Sequence, residues 1–206
     1  MKIAVIGAGA SGLTALKTCL DYGFLPVCFE KTENIGGLWR FKPEKCDGEA
    51  SVMKSTIINS SKEMTAFSDF PPPKHYPNYM HNTLLLEYFN NYADHFNLRQ
   101  YIRFRTTVIK VRQNKNFQTS GRWTVETKNT DEEYRLEIFD AILVCSGHHA
   151  EPYSPKFVYE ETFKGRILHS HSYKDHRGYE DLKVCVVGVG NSGVDIAVEL
   201  SRVCSK

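Results

Sequence analysis

Two glycine-rich segments, one near each end of the 206-residue chain, have the residue types and spacing of phosphate-binding loops. The first loop is Gly7-Ala8-Gly9-Ala10-Ser11-Gly12 and the second loop is Gly188-Val189-Gly190-Asn191-Ser192-Gly193. In such a loop the first glycine permits a tight turn, the second lets the backbone approach a pyrophosphate, and the third lets the following helix pack against a strand. One such loop is a weak signal, but two copies in the same strand-loop-helix context predict two dinucleotides held side by side.

Glu30 and a glycine pair strengthen the prediction for the first loop. Glu30 ends the next expected strand, at about the interval where a carboxylate accepts hydrogen bonds from the ribose of adenosine. Gly36, Gly37, Leu38 and Trp39 follow soon after, and there the paired glycines allow close backbone approach while the indole offers a flat wall. Taken alone, this second group predicts only a turn followed by a core tryptophan.

Other polar residues carry a weaker pattern. Asn59 and Ser60 lie in a serine-rich loop, where an asparagine is usually a turn residue. His148 and His149 are adjacent, but no acid or cysteine has suitable spacing to join them, so no metal is predicted. By itself, His169 is expected to be a hydrogen-bonded structural histidine.

Two segments resemble the flavin-containing monooxygenases. Glu30, its short spacer and the segment 36–40 (GGLWR) are similar to the flavin-binding segment of that family, in which the first loop holds FAD. Residues 163–173 fit the pattern FxGxxxHxxxY, which the family carries shortly before its NADPH loop. The fixed positions of this signature are Phe163, Gly165, His169 and Tyr173. The resemblance implies FAD at the first loop, NADPH at the second, and a linking role for His169 between two domains.

The resemblance also implies roles for single residues. Residues 57–64 are similar to the family's active-site stretch, in which an asparagine lies against the flavin and the nicotinamide, and Asn59 is the matching, catalytic position. The implied FAD contacts are Gly7, Ala8, Gly9, Ala10, Ser11, Gly12, Glu30, Gly37, Leu38, Trp39, Ile58, Asn59, Ser60, Ser146 and Gly147. The implied NADPH contacts are Gly188, Gly190, Ser192, Gly193, Val194 and Asp195. We expect the Asp195 carboxylate to point away from the phosphates because it would repel them.

The implied reaction is a monooxygenation. NADPH passes hydride to FAD, and oxygen then adds to give a C4a-hydroperoxyflavin that oxygenates nucleophilic nitrogen or sulfur in small amines or sulfides. Tyr173 favours this reaction, because the related Baeyer-Villiger monooxygenases usually have tryptophan there.

Two alternatives stay open. A flavin disulfide reductase would share both loops, but it needs a redox-active cysteine pair, and the six cysteines include neither CxxC nor CxxxxC. A shortened, non-catalytic chain that binds FAD or a partner without turnover is the second alternative.

The elements needed to position these residues predict an α/β fold with two Rossmann-like units. Short buried strands are expected at 2–6, 26–30 and 141–145, with a helix over 11–22 and another, capped by Asn82, through about Phe96. Alternating patterns predict an antiparallel β-meander over 102–112, 122–127 and 133–139. Strands are also expected at 166–169 and 184–187, with a final helix after Gly193.

The domain prediction follows from this order. Residues 1–150 are expected to form an FAD-binding domain, and residues 151–206 a linker and the start of an NADPH-binding domain. A dinucleotide unit needs another strand and helix beyond its loop, so the second unit is expected to be truncated, and this piece alone to be inactive.

Charge and hydropathy limit the classes of partner that this chain is expected to bind. Lysine and arginine total 26 against 24 acids, a net charge of +2, which does not favour nucleic acid or an anionic membrane. No apolar run is long enough to cross a bilayer, so this chain is expected to be soluble. The resemblance places the full-length protein at the endoplasmic reticulum membrane, facing the cytosol.

Overall fold

The computed structural model describes residues 1–44 and 48–206, which form a mixed α/β fold. In chain order the strands are β1 (Lys2–Ile6), β2 (Leu25–Phe29), β3 (Ile102–Arg103), β4 (Thr106–Gln113), β5 (Trp123–Asn129), β6 (Tyr134–Phe139) and β7 (Ala141–Val144). The helices are α1 (Ala10–Asp21), α2 (Lys62–Thr65), α3 (Asn82–His95), α4 (Phe117–Ser120) and α5 (Asn191–Leu200). The predicted α/β fold class is confirmed.

A parallel sheet forms the centre of the fold, with strand order β3-β2-β1-β7. The apolar runs that predicted its strands are buried to different degrees: Ala4, Val5 and Cys28 are fully buried, whereas Val144 at the end of β7 is 73% exposed. Leu13 and Leu16 of α1 pack on it, and α3 adds its own apolar face to the same core. All three strands predicted for this sheet are present within one residue at each end, so their carboxyl ends meet at one edge.

The start of α3 corrects one prediction. Asn82 is not the N-cap: His81 is, and its Nδ1 accepts a hydrogen bond from the Thr83 amide at 3.3 Å. The Asn82 side chain is buried instead, and its amide nitrogen donates to the carbonyls of Met53, Lys54 and Thr56 at 3.3, 3.1 and 3.2 Å. These tertiary acceptors take the side chain away from its own helix, so Asn82 ties the segment 53–56 to α3.

An antiparallel sheet of strands β4, β5 and β6 confirms the predicted meander. The first predicted strand, 102–112, is divided, however. Residues 102–103 pair in parallel with β2, and Arg105 turns the chain with a φ of +52° before β4 begins. The same turn holds Thr106 against the Glu30 carbonyl, at 2.9 Å, and so brings β4 beside the end of β2.

The predicted strands 166–169 and 184–187 are wrong. A strand needs a partner with a free edge, and the described residues after 150 form no ladder. The Val184 amide instead donates to the Lys206 carbonyl at 2.9 Å, and the Ser205 amide donates to the Leu182 carbonyl at 3.0 Å. The expected final helix is present as α5, and it packs into a small core with Met53 and Tyr173. Among the described residues, no helix is both long and apolar enough to cross a membrane.

Candidate functional site

The three glycines of the first loop have different physical requirements. Gly7 has a φ of +98°, and a Cβ there would lie 2.5 Å from the carbonyl oxygen of Cys145, which directly follows the neighbouring strand β7. A Cβ on Gly12 would overlap the Gly7 carbonyl oxygen, so this glycine lets α1 start directly against the loop. Gly9 is not constrained in this way, because its Cβ would meet only Gly37, at 3.7 Å from Cα. The free space beside Gly9 therefore belongs to a cavity and not to protein packing.

This first cavity has a volume of about 690 Å³ and lies at the carboxyl ends of the parallel strands. Cavities of this position and size are the usual small-molecule sites of α/β sheets. The predicted residues that line it are Gly7, Gly9, Ala10, Ser11, Glu30, Gly37, Leu38, Trp39, Ser146 and Gly147. Ala8 and Gly12 do not line it and support the loop from behind. The structure thus brings most of the predicted FAD contacts to one place.

Glu30 is buried and fixed by the loop it faces. Its Oε2 accepts a hydrogen bond from the Ala8 amide at 2.8 Å. Its Oε1 accepts from the amide and the hydroxyl of Thr32, at 2.9 and 2.8 Å. A carboxylate has about four acceptor positions, so lone pairs remain for hydroxyl groups of a ligand in the cavity.

We expect Glu30→Gln to destabilise the protein even without a ligand. A glutamine amide in this position turns an N–H group toward the Ala8 amide or the Thr32 amide, which leaves buried donors facing each other. Such a loss costs about 1–3 kcal/mol, measurable as a lower free energy of unfolding in urea. Glu33→Gln is the matched control, because Glu33 is an exposed partner of Arg105 and its loss should cost under about 1 kcal/mol. Equal losses in both variants would contradict a structural role for the Glu30 carboxylate.

Arg40 is a lining residue of the first cavity that sequence reasoning did not assign a role. Its guanidinium donates to the Ile35 carbonyl, at 3.0 Å from one terminal nitrogen, which holds it beside the glycine pair. Burial lowers the pKa of Arg40, but a guanidinium remains charged at neutral pH. The sequence signal that could have identified Arg40 as a lining residue is its position directly after Trp39. Thr106, Thr107 and Val108 of β4 also line the cavity, and no local motif marks them.

A second cavity, of about 630 Å³, adjoins the first. Its lining includes Ile58, Asn59 and His169, together with Ser192 and Asp195 at the start of α5. The residues shared by the two cavities are Leu38, Trp39, His148, His149 and Glu151. The structure therefore places Asn59 and the second loop around one space that opens beside the first.

The second loop has the same backbone shape as the first. Gly188 has a φ of +111°, Gly190 caps α5 with φ −73° and ψ 173°, and a Cβ on Gly193 would lie 2.5 Å from the Gly188 carbonyl oxygen. The Val194 amide donates to the Gly190 carbonyl at 3.0 Å, as the Leu13 amide does to the Gly9 carbonyl. The loop forms although no strand leads into it, because the glycines and the helix start define its shape locally.

Several predicted contacts lie outside both cavities. The Ser60 hydroxyl is 2.7 Å from the Thr65 hydroxyl and lines neither space. The predicted NADPH contacts outside the lining are Gly188, Gly190, Gly193 and Val194. No atom lies within 4 Å of a Cβ built on Gly188 or Gly190, so this side of the second loop is open.

The signature segment joins the end of the chain to the region before Asn59. His169 Nδ1 accepts a hydrogen bond from the His171 amide at 3.1 Å, and His171 Nε2 lies 2.9 Å from the Glu49 carbonyl oxygen. Tyr173 is buried with Met53, and this burial raises the pKa of its phenol. The contacts hold residues 49–53 against the second unit.

The two adjacent histidines, His148 and His149, line both cavities. The rings of His148 and His149 are 3.8 Å apart between centroids, and burial lowers the pKa of His149. Within residues 1–44 and 48–206, no group of three histidine, cysteine or acidic side chains is placed to hold a metal ion.

Comparison with known proteins identifies the family. The model of the flavin-binding monooxygenase-like family matches residues 1–206. The chain belongs to this family. It is 51% identical to mouse dimethylaniline monooxygenase [N-oxide-forming] 2, over all of this chain and 38% of that enzyme. It is 52% identical to human flavin-containing monooxygenase 2, over 98% of this chain and 38% of that protein. The chain thus spans a little over a third of these enzymes, whose names describe oxidoreductases.

Solved structures agree with the fold of this flavin-binding monooxygenase-like chain. The S-allyl-L-cysteine S-oxygenase of Allium sativum matches with a TM-score of 0.92 and 27% identity, over all of this chain and 49% of that one. Tmm from Pelagibacter matches with a TM-score of 0.84 and 26% identity, over 98% of this chain and 49% of that one.

Proposed function

We propose that this chain binds FAD in the first cavity and NADPH at the second loop, as parts of a monooxygenase that oxygenates nucleophilic nitrogen or sulfur. The observation that carries the proposal is the common wall of the two cavities. Each cavity is entered by one dinucleotide loop, and Trp39 and Leu38 line both. Two cofactors in these positions would meet at that wall, where hydride transfer requires contact.

The first cavity fits FAD by the chemistry of its lining. Gly9 gives the pyrophosphate access to the backbone, and the N-terminal end of α1 offers unpaired amides to its charge. Glu30 accepts hydrogen bonds from the ribose, and Arg40 adds a cation to the same space. Residues 1–150 would form this FAD-binding unit.

The second loop fits the pyrophosphate of a nicotinamide nucleotide. Gly190 caps α5, and Ser192 and Asn191 line the second cavity beside the helix start. Cyclohexanone monooxygenase from Rhodococcus, solved with NADP⁺, has the same fold at 22% identity and a TM-score of 0.71. The preference for NADPH over NADH rests on family membership. Residues 151–206 would form the linker and the start of this NADPH-binding unit.

Asn59 is the residue that we assign to the reaction itself. It is exposed in the second cavity, and it is held there by Ile58, whose amide donates to the Met80 carbonyl at 2.9 Å. Its amide can accept from the nicotinamide carboxamide and donate to a developing negative oxygen without changing charge. Bound FAD would supply the redox chemistry, accepting hydride and then activating molecular oxygen for transfer to the substrate.

Heteroatom oxygenation is favoured over Baeyer-Villiger oxidation by the relatives and by Tyr173. The mammalian relatives are named as N-oxide-forming enzymes and the Allium relative as an S-oxygenase. Tyr173 occupies the position where Baeyer-Villiger monooxygenases usually have tryptophan, and it is buried, at 3% exposure.

Reconstitution with FAD tests the function. In a full-length background, the purified protein is loaded with FAD, freed of excess cofactor and mixed with NADPH without oxygen, which should bleach the visible absorbance of the oxidised flavin. Admitting oxygen with a tertiary amine or a sulfide should then give the N-oxide or sulfoxide by mass spectrometry. Flavin retention without bleaching would instead support a non-catalytic FAD-binding chain. Failure to retain FAD would contradict both readings.

A further inference from the structure

The segment 52–59, which ends at Asn59, is held from two sides. On the first side, Asn82 of α3 donates to the carbonyls of Met53, Lys54 and Thr56. His81 Nε2 also lies 2.9 Å from the Lys54 carbonyl oxygen. These contacts fix the segment relative to the FAD-binding unit.

On the second side, the segment is attached to α5 through one carboxylate. Glu199 Oε2 accepts a hydrogen bond from the Ser55 hydroxyl at 2.8 Å, and Oε1 lies 3.3 Å from Nδ1 of His176. The Glu199 side chain is only 15% exposed. One backbone bond adds to the contact, from the Lys54 amide to the Lys174 carbonyl at 2.9 Å.

The position of Glu199 on α5 gives this contact a consequence at a distance. The helix begins directly after Gly190, and Glu199 is in its last turn. Helices rise about 1.5 Å per residue, so Glu199 lies roughly 12 Å along the same rigid element from the second loop. Ser55 is separated from Asn59 by only three residues. The contact between Glu199 and Ser55 thus connects the second loop to Asn59. The connection runs along α5 from the second loop to Glu199, and then along the chain from Ser55 to Asn59.

We propose that Glu199 is a positioning residue that sets the separation between the second loop and Asn59. The proposal rests on the proposed function, because the separation matters when a nucleotide on the second loop must reach a flavin beside Asn59. Both carboxylate oxygens contact residues outside α5, namely Ser55 and His176. Ser201, the next polar residue of the helix end, differs because its hydroxyl donates to the Val198 carbonyl of its own helix, at 2.8 Å.

The predicted kinetic effect is a loss of rate with little loss of binding. Glu199→Ala leaves the second loop itself unchanged, so the NADPH concentration for half-maximal flavin reduction should change less than about threefold. The limiting rate of flavin reduction should fall about tenfold or more, because small misplacements of reacting groups are costly. Glu199→Gln should keep the rate within about threefold, since its amide can bond both Ser55 and His176.

The experiment uses the FAD-loaded protein in a full-length background and four variants, Glu199→Ala, Glu199→Gln, Ser55→Ala and the control Ser201→Ala. Stopped-flow reduction by NADPH gives the limiting rate and the half-saturating concentration. Hydrogen exchange of residues 52–59 is followed in parallel and should accelerate in Glu199→Ala and Ser55→Ala only. A Glu199→Ala variant with an unchanged limiting rate, or with weakened NADPH binding at an unchanged rate, would overturn the positioning role. If NADPH does not reduce the flavin of the wild-type protein, the proposed function is refuted instead. Unchanged hydrogen exchange in Glu199→Ala would then still refute the positioning role of Glu199.

Discussion

Gly9→Ala should give a folded protein that no longer retains FAD. Gly9 has a φ of −79°, which alanine adopts freely, and the new Cβ would contact only Gly37, at an ordinary 3.7 Å. The methyl group therefore costs the apoprotein little, but it enters the first cavity where the pyrophosphate must approach the backbone. We expect FAD affinity to fall at least about 100-fold, or roughly 3 kcal/mol at 1.4 kcal/mol per tenfold. Flavin fluorescence titration of the apoprotein measures the change.

Gly190→Ala is the matched control, because Gly190 caps α5 in nearly the same conformation as Gly9 caps α1. The same methyl group at the second loop should leave FAD affinity unchanged. Gly12→Ala marks the opposite case, since its Cβ would overlap the Gly7 carbonyl oxygen and should prevent folding. Wild-type FAD affinity in folded Gly9→Ala protein would place the pyrophosphate elsewhere.

The sequence predicts the parallel sheet well because its signals are local. The predicted runs at 2–6 and 141–145 are largely apolar and are followed by glycine or polar residues, and each becomes a strand of the sheet, although only β1 has a buried centre and β7 is partly exposed. The same local pattern fails at 184–187, where no partner strand pairs with it among the described residues. A β-strand requires hydrogen bonds to a neighbouring strand, so an apolar run alone does not determine whether a strand forms.

Tertiary contacts explain the other differences. Asn82 has the residue type of an N-cap, yet three carbonyls from the segment 53–56 take its amide. Arg105 carries no turn signal, yet its left-handed conformation divides the predicted strand 102–112. In both cases the deciding partners are distant in the chain, where periodicity carries no information.

In the candidate site, too, the residues in local motifs could be predicted from the sequence, whereas those brought in by long-range contacts could not. Gly9, Glu30 and Trp39 lie in motifs, and the structure brings them to one cavity. Thr106 lines that cavity too, but it arrives from a sheet that begins about seventy residues later, as long-range pairing often places residues. The proximity of Asn59 to the second loop was implied only by family resemblance.

Asn59→Asp should abolish oxygenation while leaving FAD bound. The substitution keeps the size of the side chain, and Asn59 is exposed, so folding should be preserved. The added negative charge lies in the second cavity, where the amide would otherwise donate to a developing negative oxygen. Loss of one such donor typically costs about 100-fold or more in rate, and repulsion adds to it. Mass spectrometry of sulfoxide formed per NADPH consumed gives the result.

Asn78→Asp is the control variant, because it adds the same negative charge at a position outside both cavities. Asn78 is also exposed and lines neither cavity, although its backbone carbonyl accepts from the Lys62 amide at 2.6 Å in the same loop region. It should keep the wild-type rate of product formation. Normal sulfoxide formation by Asn59→Asp would refute the catalytic assignment, whereas loss of FAD from that variant would assign Asn59 to flavin binding. Because the two variants carry the same net charge, any difference between them must come from what each side chain faces.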